Sequence, residues 1–184
     1  MKTESLAKYV LRLAATLLAI TAVVAAALAG VNSITSPVID ELTAQKTQQA
    51  IAAVLPGGYD SEITDFEDAT GLVAKVYAGE AGYAFEVTPG GFDNTITMMV
   101  GVGTDGTVLG IDIISHTETA GLGAVADAAT PAGVSFREQF IDMSGTVSVS
   151  KDGGEVEAIT GATITSRAVC EGVNAALACA NTLG

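Results

Sequence analysis

The sequence predicts an α+β protein: a single N-terminal transmembrane helix, then one domain with an antiparallel sheet and flanking helices. Three observations predict it. Leu13–Val31 runs 19 residues without a charge. Between about residues 62 and 115 short apolar stretches alternate with period two and are broken by turn residues. The closing segment to Leu183 is rich in alanine, with Val169, Val173, Ala176 and Leu177 on one helical face.

Composition narrows the functional classes. The chain has 184 residues, 21 of them acidic and 8 basic, for a net charge of −13. Such a balance argues against nucleic-acid binding, which needs a basic face. One histidine and two cysteines cannot furnish a haem attachment motif, an iron–sulfur cluster or a four-ligand zinc site. Any redox or transfer chemistry then rests on an organic cofactor, or on hydroxyls and carboxylates.

Residues 1–12 carry Lys2, Lys8 and Arg12. Residues 13–31 follow as the transmembrane helix, about 28 Å long at 1.5 Å per residue and close to the hydrocarbon thickness of a bilayer. Ala27-Leu28-Ala29 would also serve as a signal-peptide cleavage site. The apolar run exceeds the usual signal core of about 7–15 residues, which favours a retained anchor. The basic flank places residues 1–12 in the cytoplasm by the positive-inside rule, and the acidic remainder outside.

Residues 32–58 form a juxtamembrane segment and helix. Asn32–Pro37 reads as a polar exit from the membrane. Val38–Leu55 reads as an amphipathic helix with Val38, Ile39, Leu42, Ile51, Val54 and Leu55 apolar, ended by Pro56-Gly57-Gly58. The extracytoplasmic domain is expected over residues 59–184. Its strands are expected at Val73–Tyr77, Tyr83–Val87, Thr95–Val102 and Val108–Ser115. In the third, Ile96, Met98, Val100 and Val102 share a side; in the last, Leu109, Ile111 and Ile113 do. Asp105-Gly106 marks a hairpin between these two. A short helix over Ser135–Ile141 and a strand over Thr146–Ser150 follow. The closing helix is expected from Thr165 or Ser166 to Leu183. Cys170 and Cys179 lie on it nine residues and about 13 Å apart, beyond the ~7 Å Cα separation a disulfide allows; they read as small buried apolar residues.

Two segments have the composition of a site. In Ile159-Thr160-Gly161-Ala162-Thr163-Ile164-Thr165-Ser166-Arg167, hydroxyls surround a Gly-Ala pair just before a helix. Small residues admit a bulky group to the backbone, and a helix N-terminus favours an anion. Thr163 or Thr165 offers a hydroxyl to bond or esterify a phosphate. Taken alone, in a chain this rich in Ala, Gly and Thr, the segment reads better as a plain turn with a Ser/Thr helix cap. In Ser115-His116-Thr117-Glu118-Thr119-Ala120-Gly121-Leu122-Gly123, a flat ligand would lie over Leu122 and bond to Thr119. A surface loop is the alternative, and a lone histidine is a weak catalytic candidate.

Together these segments resemble the FMN-binding domain of the G subunit of the Rnf electron-transport complex and of the C subunit of the sodium-pumping NADH:quinone oxidoreductase. That family's attachment motif, Asp-x-x-Ser/Thr-Gly-Ala-Thr, is similar to Glu157-Ala158-Ile159-Thr160-Gly161-Ala162-Thr163. Its Glu-Thr-Pro-Gly-Leu-Gly stretch is similar to Glu118-Thr119-Ala120-Gly121-Leu122-Gly123. The N-terminal anchor and Val54-Leu55-Pro56-Gly57 agree as well, and the short chain favours the Rnf G subunit.

The resemblance implies covalent FMN, esterified through its phosphate to Thr163. It implies a site of Thr160, Gly161, Ala162, Glu118, Thr119, Leu122 and Gly123; beside it, Thr165 and Ser166 are expected to cap the helix and bond the phosphate, with Lys151 as a further phosphate partner. Glu157, where the family has aspartate, would be read by the flavin transferase that installs FMN from FAD. The chain would then be an electron carrier in an ion-translocating ferredoxin/NAD-type oxidoreductase, beside the other membrane subunits of an Rnf-type complex, in the cell membrane and without nucleic acid or metal. The alternatives are a stand-alone membrane-anchored flavoprotein, or a pilin-like surface protein without flavin.

Overall fold

A computed structural model describes residues 3–183; Lys2, counted in the basic flank, lies outside them. The chain divides into two units, one up to Ala44 and one from Gln45 onward. Helix α1, Thr3–Val54, is continuous between its ends. It is long and apolar enough to cross a membrane by length and composition. In the first unit Leu17, Leu18, Val23, Leu28 and Ile34 are all exposed. An apolar surface of this kind is stable only against lipid or another apolar partner.

The expected polar exit at Asn32–Pro37 is not a break, because α1 runs through Pro37. The polar side chains there bond to their own helix: Ser33 Oγ donates to Ala29 O at 2.9 Å and Thr35 Oγ1 to Val31 O at 3.1 Å. Pro37 removes one N–H and disfavours the helix by about 3 kcal/mol, which the long flanking helical runs absorb. Of the apolar positions expected for the second half of the helix, Ile51, Val54 and Leu55 are buried, whereas Val38, Ile39 and Leu42 are exposed.

The second unit is built on a five-stranded antiparallel meander in sequence order. Its strands are β1 (Ser61–Ile63), β2 (Val73–Gly79), β3 (Gly82–Val87), β4 (Thr97–Gly103) and β5 (Val108–Ser115). The hairpin between β4 and β5 turns at Asp105-Gly106. Asp105 Oδ1 accepts from Thr107 N and Oγ1, and Gly106 takes φ 80°.

Helices α2 (Pro131–Glu138) and α3 (Thr163–Leu183) join one face of the sheet in the larger core. Phe85, Ile96, Met98, Val100 and Val102 lie there with Phe136, Phe140, Val169 and Val173. The other face packs Tyr77, Ala84, Met99 and Ile114 against Ala50, Ile51 and Val54 from the end of α1 and Leu55 just after it. Residues on β4 are therefore buried on both faces. Each such Val or Met side chain contributes roughly 1.5–3 kcal/mol relative to exposure. Gly101 lets α1 approach, since a Cβ there would run into the Val54 carbonyl.

Three local expectations change. Leu109 does not share a side with Ile111 and Ile113; it packs on the α1 face. Gly101 pairs with Gly110 but Val102 pairs with Val108, so Leu109 is an extra residue in a bulge and its side chain flips. Thr146–Ser150 is not a strand. Asn174 Oδ1 accepts from Val147 N at 2.7 Å and its Nδ2 donates to Val147 O at 2.8 Å, so a side-chain amide replaces the neighbouring strand. Only Val149 makes a bridge, parallel, to Val156. Helix α2 starts at Pro131 rather than Ser135, because Pro fits the first helical position and Thr130 Oγ1 accepts from Gly133 N.

Cys170 and Cys179 are free and buried within α3. Burial pushes the Cys170 thiol up to about 11 and that of Cys179 upward as well. At pH 8 the native chain is expected to resist iodoacetamide at both cysteines. After denaturation, and without reductant, both are expected to react, as read by intact mass.

Candidate functional site

Helix α3 begins earlier than the closing-helix pattern indicates. Gly161 sits in the left-handed region at φ 77°, where a side chain would be strained. Ala162 O then accepts the first intrahelical bond, from Ser166 N at 3.0 Å. The helix therefore opens on Thr163, and the amides of Thr163, Ile164 and Thr165 precede its first intrahelical bond. Such amides carry the positive end of the helix dipole.

Lys151 reaches this end from a 3-10 turn, Ser150–Asp152. Its Nζ donates to Thr163 Oγ1 at 3.0 Å. The next residue, Asp152, accepts two bonds of 2.7 Å from Arg167 Nε and Nη2. Thr163 and Arg167 are four apart on α3 and share a face, so two consecutive residues of the turn meet two residues on successive turns of the helix. The Arg167 hydrogen bonds hold the Asp152 carboxyl below its ordinary range. Both partners are solvent-exposed, so the pair orients Lys151 more than it stabilises the fold.

Beside Thr163 lies a cavity of about 290 Å³. Its lining brings together Glu118, Thr119, Leu122 and Gly123 from the loop after β5, Lys151, and Gly161–Thr165. Two segments some forty residues apart in sequence thus form one concavity. Leu122 and Ile164 are both partly exposed apolar walls.

Of the other site candidates, Thr165 lies at the cavity's edge, whereas Ser166, Thr160 and Glu157 lie outside its lining. Ser166 is fully buried, and its hydroxyl accepts from Ile159 N and donates to Ala162 O, both at 3.0 Å. Thr165 donates its hydroxyl to Glu118 Oε2 at 2.5 Å. Both lie inside the first turn rather than at its cap. Thr160 and Glu157 line a separate groove with Phe136 and Gln139. There Gln139 Oε1 accepts from Glu157 N at 2.7 Å and its Nε2 donates to Glu157 O at 3.3 Å.

One lining residue was not legible in the sequence. Phe92, at the tip of the β3–β4 connection, is 64% exposed and faces the same cavity. Its turn, Pro89-Gly90-Gly91-Phe92-Asp93-Asn94, carries the ordinary composition of a loop, and the Gly-Gly-Phe sequence was the only signal available.

The fold and the site define a class: a helix-anchored α+β domain with a hydroxyl at a helix N-terminus, a lysine on that hydroxyl, and an apolar-walled cavity beside it. This suits a phosphate-bearing flat cofactor. The FMN-binding domain family matches residues 91–178. The chain is 35% identical to the G subunit of the Na(+)-translocating ferredoxin:NAD(+) oxidoreductase complex of Acetobacterium woodii, covering 91% of this chain and 89% of that one. It is 32% identical to the G subunit of the ion-translocating oxidoreductase complex of Methanosarcina acetivorans, covering 92% and 94%. The corresponding G subunit of Haemophilus influenzae is 31% identical over 77% of this chain and 75% of its own. The chain belongs to the family of G subunits of ion-translocating oxidoreductase complexes. This membership decides against the pilin-like alternative.

Gly123 tests the packing of the site. A Cβ there would run into Glu118 Oε2 and Cβ and into Thr165 Oγ1. Gly123→Ala is expected to destabilise the domain by about 1–3 kcal/mol, read as a lowered thermal midpoint of the purified chain.

Proposed function

We propose that this chain is the electron-carrier subunit of a membrane-bound complex of the ferredoxin/NAD type that couples electron transfer to ion translocation, and that its FMN is esterified to Thr163. The observation that carries the reading is the Thr163 hydroxyl, on the first turn of α3, with the Lys151 ammonium 3.0 Å away and the apolar-walled cavity beside it.

The residues present fit FMN. The hydroxyl, the ammonium and the first-turn amides suit a phosphodiester, which keeps one negative charge at a helix N-terminus. Gly161 and Gly123 let the two segments pack closely around the cavity, because a Cβ at Gly161 would meet Leu122 and one at Gly123 would meet Glu118 and Thr165. Leu122, Ile164 and Phe92 provide apolar surface to exclude water from a flat ring. When bound, the flavin supplies the electron-transfer chemistry, and the protein supplies attachment, orientation and tuning.

Attachment forms one bond, from Thr163 Oγ1 to phosphorus, and breaks one, the pyrophosphate bond of FAD. AMP leaves and the hydroxyl proton passes to the transferase or to solvent. Lys151 stabilises negative charge developing on Thr163 Oγ1 and on the phosphate. Glu157 and Thr160, exposed on the neighbouring groove, are the residues for the flavin transferase to read. Helix α1 holds the carrier in the cell membrane beside the other subunits of the complex. The basic start of the chain lies in the cytoplasm and the FMN domain outside.

Co-expression with a flavin transferase is expected to raise the intact mass by FMN less water, and Thr163→Ala to abolish the gain. An unchanged gain in Thr163→Ala would move the linkage elsewhere; no gain in the parent chain would remove the covalent reading. Lys151→Met keeps the hydroxyl but loses a charge-assisted hydrogen bond. Its initial rate of flavin loading is expected to fall about tenfold, followed by the same mass gain over time.

A further inference from the structure

Glu118 lines the cavity, yet the residue is only 8% exposed and its carboxylate is already occupied by hydrogen bonds. Oε1 accepts from Phe92 N at 2.7 Å and from Asp93 N at 3.4 Å. Oε2 accepts from Thr165 Oγ1 at 2.5 Å. Among the described residues no lysine or arginine pairs with it. A carboxylate withdrawn from water and held by neutral donors carries a desolvation cost, which only well-made hydrogen bonds offset.

Space for it is left by glycines from two different loops. A Cβ on Gly91 would run into Oε1, and a Cβ on Gly123 into Oε2. The turn bearing Phe92 has little else to hold its tip. Its other hydrogen bonds stay within the hairpin: Gly91 N to Asn94 O at 2.7 Å, Thr95 N to Asn94 Oδ1 at 2.9 Å and, at its base beside the Gly90–Thr95 bridge, Ile96 N to Pro89 O at 2.9 Å. Phe92 lines the cavity from one side and Thr163–Thr165 from another. Glu118 bonds to both sides at once.

We propose that Glu118 is a positioning residue: its carboxylate ties the Phe92 turn to the first turn of α3 and so fixes Phe92 as a wall of the cavity beside Thr163. The proposal rests on the reading of that cavity as the flavin seat. Thr165 acts with it, as the link on the helix side.

The test uses the full chain loaded with FMN by a flavin transferase, in two readouts. One is hydrogen exchange of the peptide spanning Gly90–Asn94, measured by mass spectrometry. The other is the emission of the attached flavin. Glu118→Ala is expected to speed exchange in that peptide at least about tenfold, the scale of a lost hydrogen bond to a charged group. It is also expected to shift the emission in the same direction as Phe92→Ala, with the double variant adding nothing. Glu118→Gln keeps an acceptor for Phe92 N and is expected to restore both readouts.

Wild-type exchange and emission in a folded Glu118→Ala chain would overturn the proposal. So would emission changes that add in full in the double variant, since Glu118 would then act on the flavin without Phe92. Should Glu118→Ala not fold, Thr165→Val removes only the helix-side link. It is expected to shift emission in the same direction by less, and no shift would overturn the proposal. If the parent chain takes up no flavin, the functional reading fails, and the exchange readout alone still decides whether Glu118 holds the Phe92 turn.

Discussion

Gly161 turns the chain in the left-handed region and Ala162 offers its carbonyl to Ser166 N, and these two events start α3 at Thr163. Had the helix begun at Thr165, the Thr163 hydroxyl would stand in a flexible approach loop. Instead it stands at the positive end of a 21-residue helix whose apolar face is locked into the core. The anchoring matters because a group bound at this hydroxyl is only as well placed as the residue that holds it. Arg167, one turn on, adds a second tie by gripping Asp152 and so keeping Lys151 at the hydroxyl.

The sheet serves this helix as a platform. Because β4 is buried on both faces, it cannot shift without disturbing both the α1 contact and the α3 core. The bulge at Leu109 allows β5 to contribute to both layers. The loop leaving β5 then delivers Glu118 to the start of α3. Side-chain amides complete the backbone where strands are missing. Asn174 pairs with both polar groups of Val147, and Gln139 does the same for Glu157. The stretch leading to Thr163 is therefore ordered without being part of the sheet.

Much of this was legible in the sequence. Period-two alternation gave the four main strands, because a strand buried on one or both faces must keep its apolar residues in phase. The Asp-Gly hairpin was legible because few residues accept a positive φ. The continuity of the helix through Pro37 was not legible, since local rules treat proline and polar residues as a boundary while hydroxyls can bond back to the helix itself. The flip of Leu109 was invisible, because a bulge is a property of two paired strands and not of one.

The sequence by itself determined the apolar N-terminal helix, the α+β class, and the two motifs whose pairing carries the resemblance to FMN-binding domains. It did so because hydrophobic length, alternation and a hydroxyl beside Gly-Ala are local properties. Only the tertiary structure decided which groups meet. It set Lys151 on Thr163, buried Ser166 out of the cavity, bonded Glu118 to both the Phe92 turn and Thr165, and brought Phe92 to the wall. Each of these depends on segments far apart in the chain being packed to within a hydrogen bond, and no single stretch of residues records that distance.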